Sequence, residues 1–302
     1  YNNYVYQNIS INGTLQKRIF KGDLLSKDAN ADFDFNGSVD FTKKVPDIDF
    51  ISTINKLNLK RLGFINAKED GYISSQIIID LQGDNIDNLS GIINFANTIY
   101  KTQEKEYKVS TFDLHLEQES VEKNIRLNSN IFNVAVNGPF KLSNLEGPFH
   151  TLLYSYYPAF VGKPKGKNVY TDYFKYKITV KKFNTIRDLF IKDLMVSSNS
   201  IFDGDFDASK NIFNLNMKSD SIKYKGIRFT NNKIESYSKN NKVNLVLKSD
   251  KINLTDSISI NNYFMYLVSN DKNTKYNLEW NNKTVPNNAG KLFGRAIFEN
   301  NT

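Results

Sequence analysis

Residues Ala31-Asp32-Phe33-Asp34-Phe35-Asn36-Gly37-Ser38-Val39-Asp40-Phe41 decide the fold class. Phe33, Phe35, Val39 and Phe41 share one parity, and Asp32, Asp34, Asn36 and Asp40 share the other. Successive side chains of a strand point to opposite faces, so this stretch reads as a strand with one dry and one wet face. The same period recurs along the chain. Ile77, Ile79 and Leu81 alternate, as do Phe112, Leu114 and Leu116, and then Val134 and Val136. Phe213, Leu215 and Met217 follow, then Val243, Leu245 and Leu247, and finally Tyr276, Leu278 and Trp280. Turn-type residues separate the runs at Asn12-Gly13, Asn36-Gly37, Gly83-Asp84-Asn85, Asn137-Gly138 and Ser238–Asn241. The expected fold is mainly β and antiparallel.

Two stretches carry helical spacing instead. Pro148–Tyr157 places Phe149, Leu152, Leu153, Tyr156 and Tyr157 at helical intervals, with Pro148 suited to a first turn. Asn184–Leu194 places Ile186, Leu189, Phe190 and Leu194 on one face, with Asn184 as the expected N-cap. These helices are too short and too few to cover a sheet of this size.

An internal repeat accompanies the alternation. Asn214-Leu-Asn-Met-Lys-Ser-Asp-Ser-Ile222 recurs as Asn244-Leu-Val-Leu-Lys-Ser-Asp-Lys-Ile252, with six identities in nine at an offset of thirty. A looser echo at Asn124–Ile131 contains Leu127. Thirty residues suit two strands with their turns, so the unit reads as a hairpin rung added to a growing sheet.

Composition removes several function classes. The 302 residues include no Cys and only 2 His, against 22 Phe and 17 Tyr. Without cysteine there is no disulfide framework, thiol nucleophile or Cys-ligated metal. His115 and His150 cannot make a three-His site. His115 is expected on the wet face of its strand and His150 near a helix start. Asp203-Gly204-Asp205-Phe206-Asp207 has the spacing of a calcium loop but lacks its downstream bidentate Glu. Asp32 with Asp34, and Glu117 with Glu119, read as acids facing water together. No catalytic residue, metal site or cofactor is expected, and the chain is not read as an enzyme. No run approaches the ~18 apolar residues of a membrane-spanning helix.

A sandwich and an open sheet give the same alternation. Sandwich domains close at roughly 100 residues, and no Pro/Gly/Ser-rich linker divides this chain, so one elongated, curved antiparallel sheet of hairpin rungs is the expected architecture. It would run as a β-groove over 1–146, a helix-loop-strand-helix segment over 147–194, and a continuation of the groove over 195–302. Such a sheet leaves more apolar surface than a soluble monomer exposes, so its dry side needs an occupant.

The runs Lys21-Gly22-Asp23 with Asn30–Gly37, Gly83–Asn94, and Leu189–Phe206 leading into Asn214–Asp220 resemble the TamB family in its Bacteroidota form, of the AsmA-like, bridge-forming group. The resemblance is one of strand pattern over essentially the whole chain. It implies an apolar β-groove anchored in the inner membrane by an N-terminal helix absent from this chain, spanning the periplasm to an outer-membrane partner of BamA/TamA type. It further implies outer-membrane biogenesis by inter-membrane phospholipid transport or by assistance to outer-membrane protein assembly. The chain would be an interior or near-C-terminal section. The expected lining, in contact with phospholipid acyl chains, is the alternating apolar set above together with Leu127. An acyl chain loses ~0.8 kcal/mol for each CH₂ left in water, so the lining must be continuous. The alternative from another class is an extracellular β-rich adhesin or carbohydrate-binding module. An outer-membrane barrel would need aromatic girdles, which the strands do not show.

Charge is concentrated. Lys163, Lys165, Lys167, Lys175, Lys177, Lys181, Lys182, Arg187 and Lys192 oppose only Asp172 and Asp188 within residues 161–192, a net +7 in a chain of +8. With Tyr154, Tyr156, Tyr157, Tyr170, Tyr173 and Tyr176 nearby, the cluster is expected to meet anionic headgroups or to form a solvated face. No nucleic-acid-binding motif accompanies it.

Overall fold

A computed structural model describes residues 4–64, 70–157, 161–164, 166, 168–189, 193–239, 242–270, 273–283 and 288–297. Among the described residues the fold is mostly β, a single antiparallel sheet of eighteen strands with two α-helices. The chain divides into two compact units, Tyr1–Ser120 with Asn124–Asn130 and Val121–Lys123 with Ile131–Thr302. The boundary runs through β8 (Glu122–Ser129).

The first unit is a succession of hairpins: β1 (Ile9–Gln16), β2 (Ile19–Lys27), β3 (Ala31–Asp40), β4 (Asp47–Leu57), β5 (Gly71–Gln82), β6 (Ser90–Thr102) and β7 (Glu106–Glu119). Each pairs antiparallel with the next. Lys17 and Arg18 join β1 to β2 with φ of 48° and 64°, the two left-handed residues of a turn that matches strand twist.

The second unit contains β9 (Phe132–Gly138), α1 (Glu146–Tyr156), β10 (Tyr173–Val180), α2 (Phe183–Leu189), β11 (Leu194–Val196) and β12 (Ile201–Asp207). Then come β13 (Ile212–Tyr224), β14 (Ile227–Lys239), β15 (Lys242–Asn253), β16 (Ser259–Asn270), β17 (Asn273–Asn281) and β18 (Ala289–Ile297). β10 lies between β9 and β12, so the strand of the basic segment is interior to the sheet. β11 and β12 both pair with β13, as one strand broken at residues 197–200.

Several local expectations require correction. Asn12-Gly13 and Asn36-Gly37 are not turns: they lie inside β1 and β3. Gly13, Gly22 and Gly37 are successive cross-strand partners, and Gly37 faces Phe50. A Cβ on Gly37 would stand 2.7 Å from the Phe50 ring, and one on Gly13 would stand 2.8 Å from the Phe20 ring. The Asp49 and Lys21 carbonyls would be closer still, at 2.0 and 2.6 Å, so these glycines allow both backbone and ring of the neighbouring strand to approach, a role that composition cannot distinguish from a turn. Gly83-Asp84-Asn85 does fall between β5 and β6. Asn240 and Asn241 of the expected Ser238–Asn241 turn lie outside the described residues. α1 starts at Glu146, two residues before Pro148, with an acid at its positive end. Asn184 is inside α2 rather than its cap, and Leu194 opens β11. Phe41 lies past the end of β3 and is 42% exposed, so it is not part of the strand's apolar set.

Candidate functional site

The register assembles the alternating apolar residues of each unit into continuous rows. In the first unit Ile11, Leu24, Phe35, Ser52, Ile77, Phe95 and Phe112 are successive cross-strand partners from β1 to β7. A second row contains Leu15, Phe20, Val39, Ile48, Leu81, Gly91 and Leu116, and between the two run Ile79, Ile93 and Leu114. Phe33 sits one step further along, opposite Ile54. Rings shield one another laterally: Phe33 and Phe35 meet edge-on at 5.1 Å, and Phe95 and Phe112 at 5.2 Å. Shielding is strongest mid-sheet, where Ile77 and Leu81 are 7% exposed, and fails at β1, where Ile11 is 69% exposed. Most of the face is half-buried: its side chains pack sideways while their outer ends stay open. Leu127 is half-buried in β8.

The second unit repeats the construction. Val136, Tyr176, Gly204, Leu215, Ser236, Leu245, Leu267, Tyr276 and Gly294 form one row from β9 to β18. Val134, Ile178, Phe202, Met217, Ile234, Leu247, Met265, Leu278 and Leu292 form the next. Phe174, Phe206 and Phe213 begin a third, which Ser238 joins by accepting the Phe213 amide proton at 3.3 Å and which passes on to Val243. Trp280 faces Gly290, where a Cβ would meet its ring at 2.1 Å. Thus Val134, Val136, Phe213, Leu215, Met217, Val243, Leu245, Leu247, Tyr276, Leu278 and Trp280 share one face of this unit.

Sequence reasoning missed the return strands. Leu24, Phe50, Phe95, Phe202, Ile234, Met265 and Leu267 lie on the same faces. Ile234 stands among Asn232, Ser236 and Ser238 of its own parity, and the alternation of the others is blurred by flanking apolar residues of the other parity. Ile51 and Ile78 are such residues. They oppose each other on the outer face of the first unit and are 61% and 52% exposed.

A polar seam crosses the apolar rows and accounts for the thirty-residue repeat. Ser219 and Ser249, the serines of the two Lys-Ser-Asp copies, are 5% and 3% exposed and both face Asn232. The Ser249 hydroxyl proton lies within reach of two carbonyls, those of Thr230 (2.9 Å) and Lys251 (3.0 Å), and Ser219 Oγ donates to that of Ser221 (3.0 Å). Beside them Asn231 and Asn262 adopt φ of 51° and 50°. Asn231 Nδ2 donates to Asp250 at 2.9 Å, from the second repeat copy. The first unit has the same device in Ser75, bonded to Thr98, and Asn97 at φ 53°. At these positions the ladder is interrupted, the buried serines satisfy the displaced carbonyls, and Asn tolerates the left-handed backbone. Asn231→Val is expected to destabilise the fold by about 1–2 kcal/mol while Asn231→Gly does not, read from urea unfolding midpoints at constant slope.

One helix lies on this face among the described residues of the second unit. Phe149 of α1 stacks on Phe206 at 4.6 Å and approaches Phe174 and Phe213 at 6.1 and 6.3 Å. Tyr156 donates its hydroxyl proton to the carbonyl of Asn211 and stands 3.0 Å from Ser238 Oγ. Leu152 and Tyr156 are buried, and Phe206 is fully buried.

Burial, reinforced by the charges of Asp203 and Asp205, pushes the Tyr176 phenol up to about 12. In the unfolded chain a tyrosine ionises near 10. Between these values the folded chain retains a proton that the unfolded chain has lost, so stability falls as pH rises from about 10 to about 12. Tyr176→Phe is expected to flatten that decline in urea titrations across the window.

The basic segment is less positive in space than in sequence. Lys175 and Lys177 are cross-strand partners of Asp205 and Asp203, acids that lie outside the 161–192 window. Lys163 and Lys182 are exposed, Lys181 and Arg187 half-buried, and Lys165, Lys167 and Lys192 lie outside the described residues. An open cavity of about 320 Å³ beside α1 is lined by Thr151, Tyr154, Lys163, Pro164, Asn168 and Tyr170, among others.

The carboxylates are engaged locally. Asp205 and Asp203 accept from Asn214 (3.0 Å) and Asn216 (3.3 Å). Asp207 accepts from Ser209 Oγ (2.6 Å), Lys210 N (3.1 Å) and Lys210 Nζ (2.6 Å). Burial opposes the Asp207 charge, but these bonds outweigh it and hold the carboxyl below the usual range. Asp32 is held by Lys27 at 2.9 Å and Asn55 at 3.1 Å, and Glu117 by Arg126. His115 is half-buried opposite Ile92, and His150 is half-buried in α1. Among the described residues no group of three His, Asp or Glu could hold a metal ion. No helix there is long and apolar enough to cross a membrane. The chain matches no protein-family model, no curated protein and no solved structure.

Proposed function

We propose that this chain is a lipid-shielding section of a non-enzymatic, TamB-type bridge, its apolar sheet faces covering phospholipid acyl chains on their way between two membranes. One observation carries the reading: each unit presents predominantly apolar rows across seven or more strands, interrupted by single residues such as Ser52 and Ser236, and most of their side chains are only half-buried. Acyl chains need what such a face offers, continuous apolar contact without donors that select one headgroup. On this reading the protein acts in the periplasm, held in the inner membrane by an anchor outside this chain, and hands cargo to an outer-membrane partner of BamA/TamA type. Assistance to outer-membrane protein assembly would use the same faces for unfolded apolar strands. Exposed Lys163 and Lys182 would add attraction for anionic headgroups, weakened at high salt.

The test is site-specific photocrosslinking in cells. A photoreactive residue at Leu245 or Phe35, on the apolar faces, is expected to capture phospholipid. The same residue at Val246 or Asp34, on the opposite faces, is expected not to. Equal labelling at both parities, or none at either, would remove the reading.

A further inference from the structure

The sheet face of the second unit continues beneath α1 without a change of character. Phe174, Phe206 and Phe213 are cross-strand partners in a row parallel to those of Leu215 and Met217, and α1 sits on that row through Phe149, Leu152 and Tyr156. The helix therefore occupies apolar surface of the kind that elsewhere in this unit is half-open. Its anchoring is mainly apolar, through Phe149 stacked on Phe206 and the buried Pro148, Leu152 and Tyr156. It has eleven residues and no side-chain N-cap bond, so its stability comes from this packing rather than from its own sequence. Among the described residues the Tyr156 hydroxyl ties it to the sheet, through the Asn211 carbonyl and Ser238 Oγ. Ser238 Oγ already accepts the Phe213 amide proton at 3.3 Å, so it is not stranded if Tyr156 leaves. The ring contacts of Phe149 are non-directional, and an acyl chain laid along the same row would replace buried apolar area with buried apolar area.

We propose that α1 is a displaceable plug: it covers the Phe174, Phe206 and Phe213 end of the face when no acyl chain is present, and an arriving chain competes it off. This rests on the lipid-shielding reading of the same face. The plug spares the empty protein a larger exposed apolar patch, and it gives that end of the face two states whose balance is set by acyl occupancy. Displacement needs no external energy source, because the bound chain supplies the contacts that the helix gives up.

Hydrogen exchange of the whole chain, with and without saturating dodecyl-chain phosphatidylglycerol, tests this, with binding followed separately by a fluorescent acyl probe. Amides of residues 150–156 are expected to exchange about tenfold faster in the lipid-bound protein, while those of β13 and β15 slow. Tyr156→Phe removes the single hydroxyl proton that ties α1 to the sheet and keeps the ring, and it is expected to raise acyl affinity about fivefold, the factor that one lost hydrogen bond represents. Probe binding with α1 exchange unchanged or slowed would overturn the plug and leave the lipid reading standing. Weaker binding by Tyr156→Phe would also overturn it, because α1 would then be part of the binding surface. No probe binding at all would remove both.

Discussion

Leu245→Asp is expected to abolish acyl-chain binding by the second unit, with at least a tenfold loss against a fluorescent probe. Leu245 stands mid-row between Ser236 and Leu267, one step from Leu247 and its partners Ile234 and Met265. A carboxylate there has no cation opposite it, and any chain laid along the row would have to desolvate it. A tenfold loss corresponds to about 1.4 kcal/mol, less than two CH₂ groups contribute at ~0.8 kcal/mol each, so the estimate is a floor. Val246→Asp is the matched control. It carries the same charge one residue away, on the opposite face, between Glu235 and Tyr266. If both variants lose binding, or neither does, the effect is not one of the apolar face. Circular dichroism should show unchanged strand content in both, since the backbone pairing of β15 does not depend on either side chain.

The second large effect concerns stability. Phe206→Ala is expected to destabilise the second unit by about 3–5 kcal/mol, the range for removing a fully buried aromatic side chain. Phe206 is 0% exposed, lies opposite both Phe174 and Phe213, and stacks under Phe149. Its removal leaves a cavity bounded by sheet on one side and α1 on the other. Phe206→Leu keeps most of the volume and should cost less. Urea unfolding followed by near-ultraviolet circular dichroism measures both. A loss below 1 kcal/mol for the alanine variant would mean that α1 and this row do not form a packed layer.

The alternating strands were legible because parity is a local property. Phe213, Leu215 and Met217 share a face whatever lies beside them, and the same holds for Phe33, Phe35 and Val39. The repeat was legible as a recurrence but not as a device. That Ser219 and Ser249 are buried where Asn231 and Asn262 turn left-handed depends on β14 standing between β13 and β15, so that Asn232 faces both serines. Gly13 and Gly37 were misread for a related reason. An Asn-Gly pair has the local preferences of a turn, and only the neighbouring strands, with the Lys21 and Asp49 carbonyls and the Phe20 and Phe50 rings close by, explain glycines inside strands. The charge cluster changed meaning in the same way: the acids facing Lys175 and Lys177 arrive from β12, nearly thirty residues downstream.

The sequence by itself determined the fold class, its antiparallel hairpin construction and which parity of the cleanly alternating strands is dry, because side-chain direction in a strand needs no information beyond two neighbouring residues. Only the tertiary structure decided which dry residues stand in one row, where the ladder breaks, and that α1 lies over Phe206. Those depend on register, and register is set by the joint fit of whole strands, rings over glycines and serines against freed carbonyls, with partners drawn from distant parts of the chain.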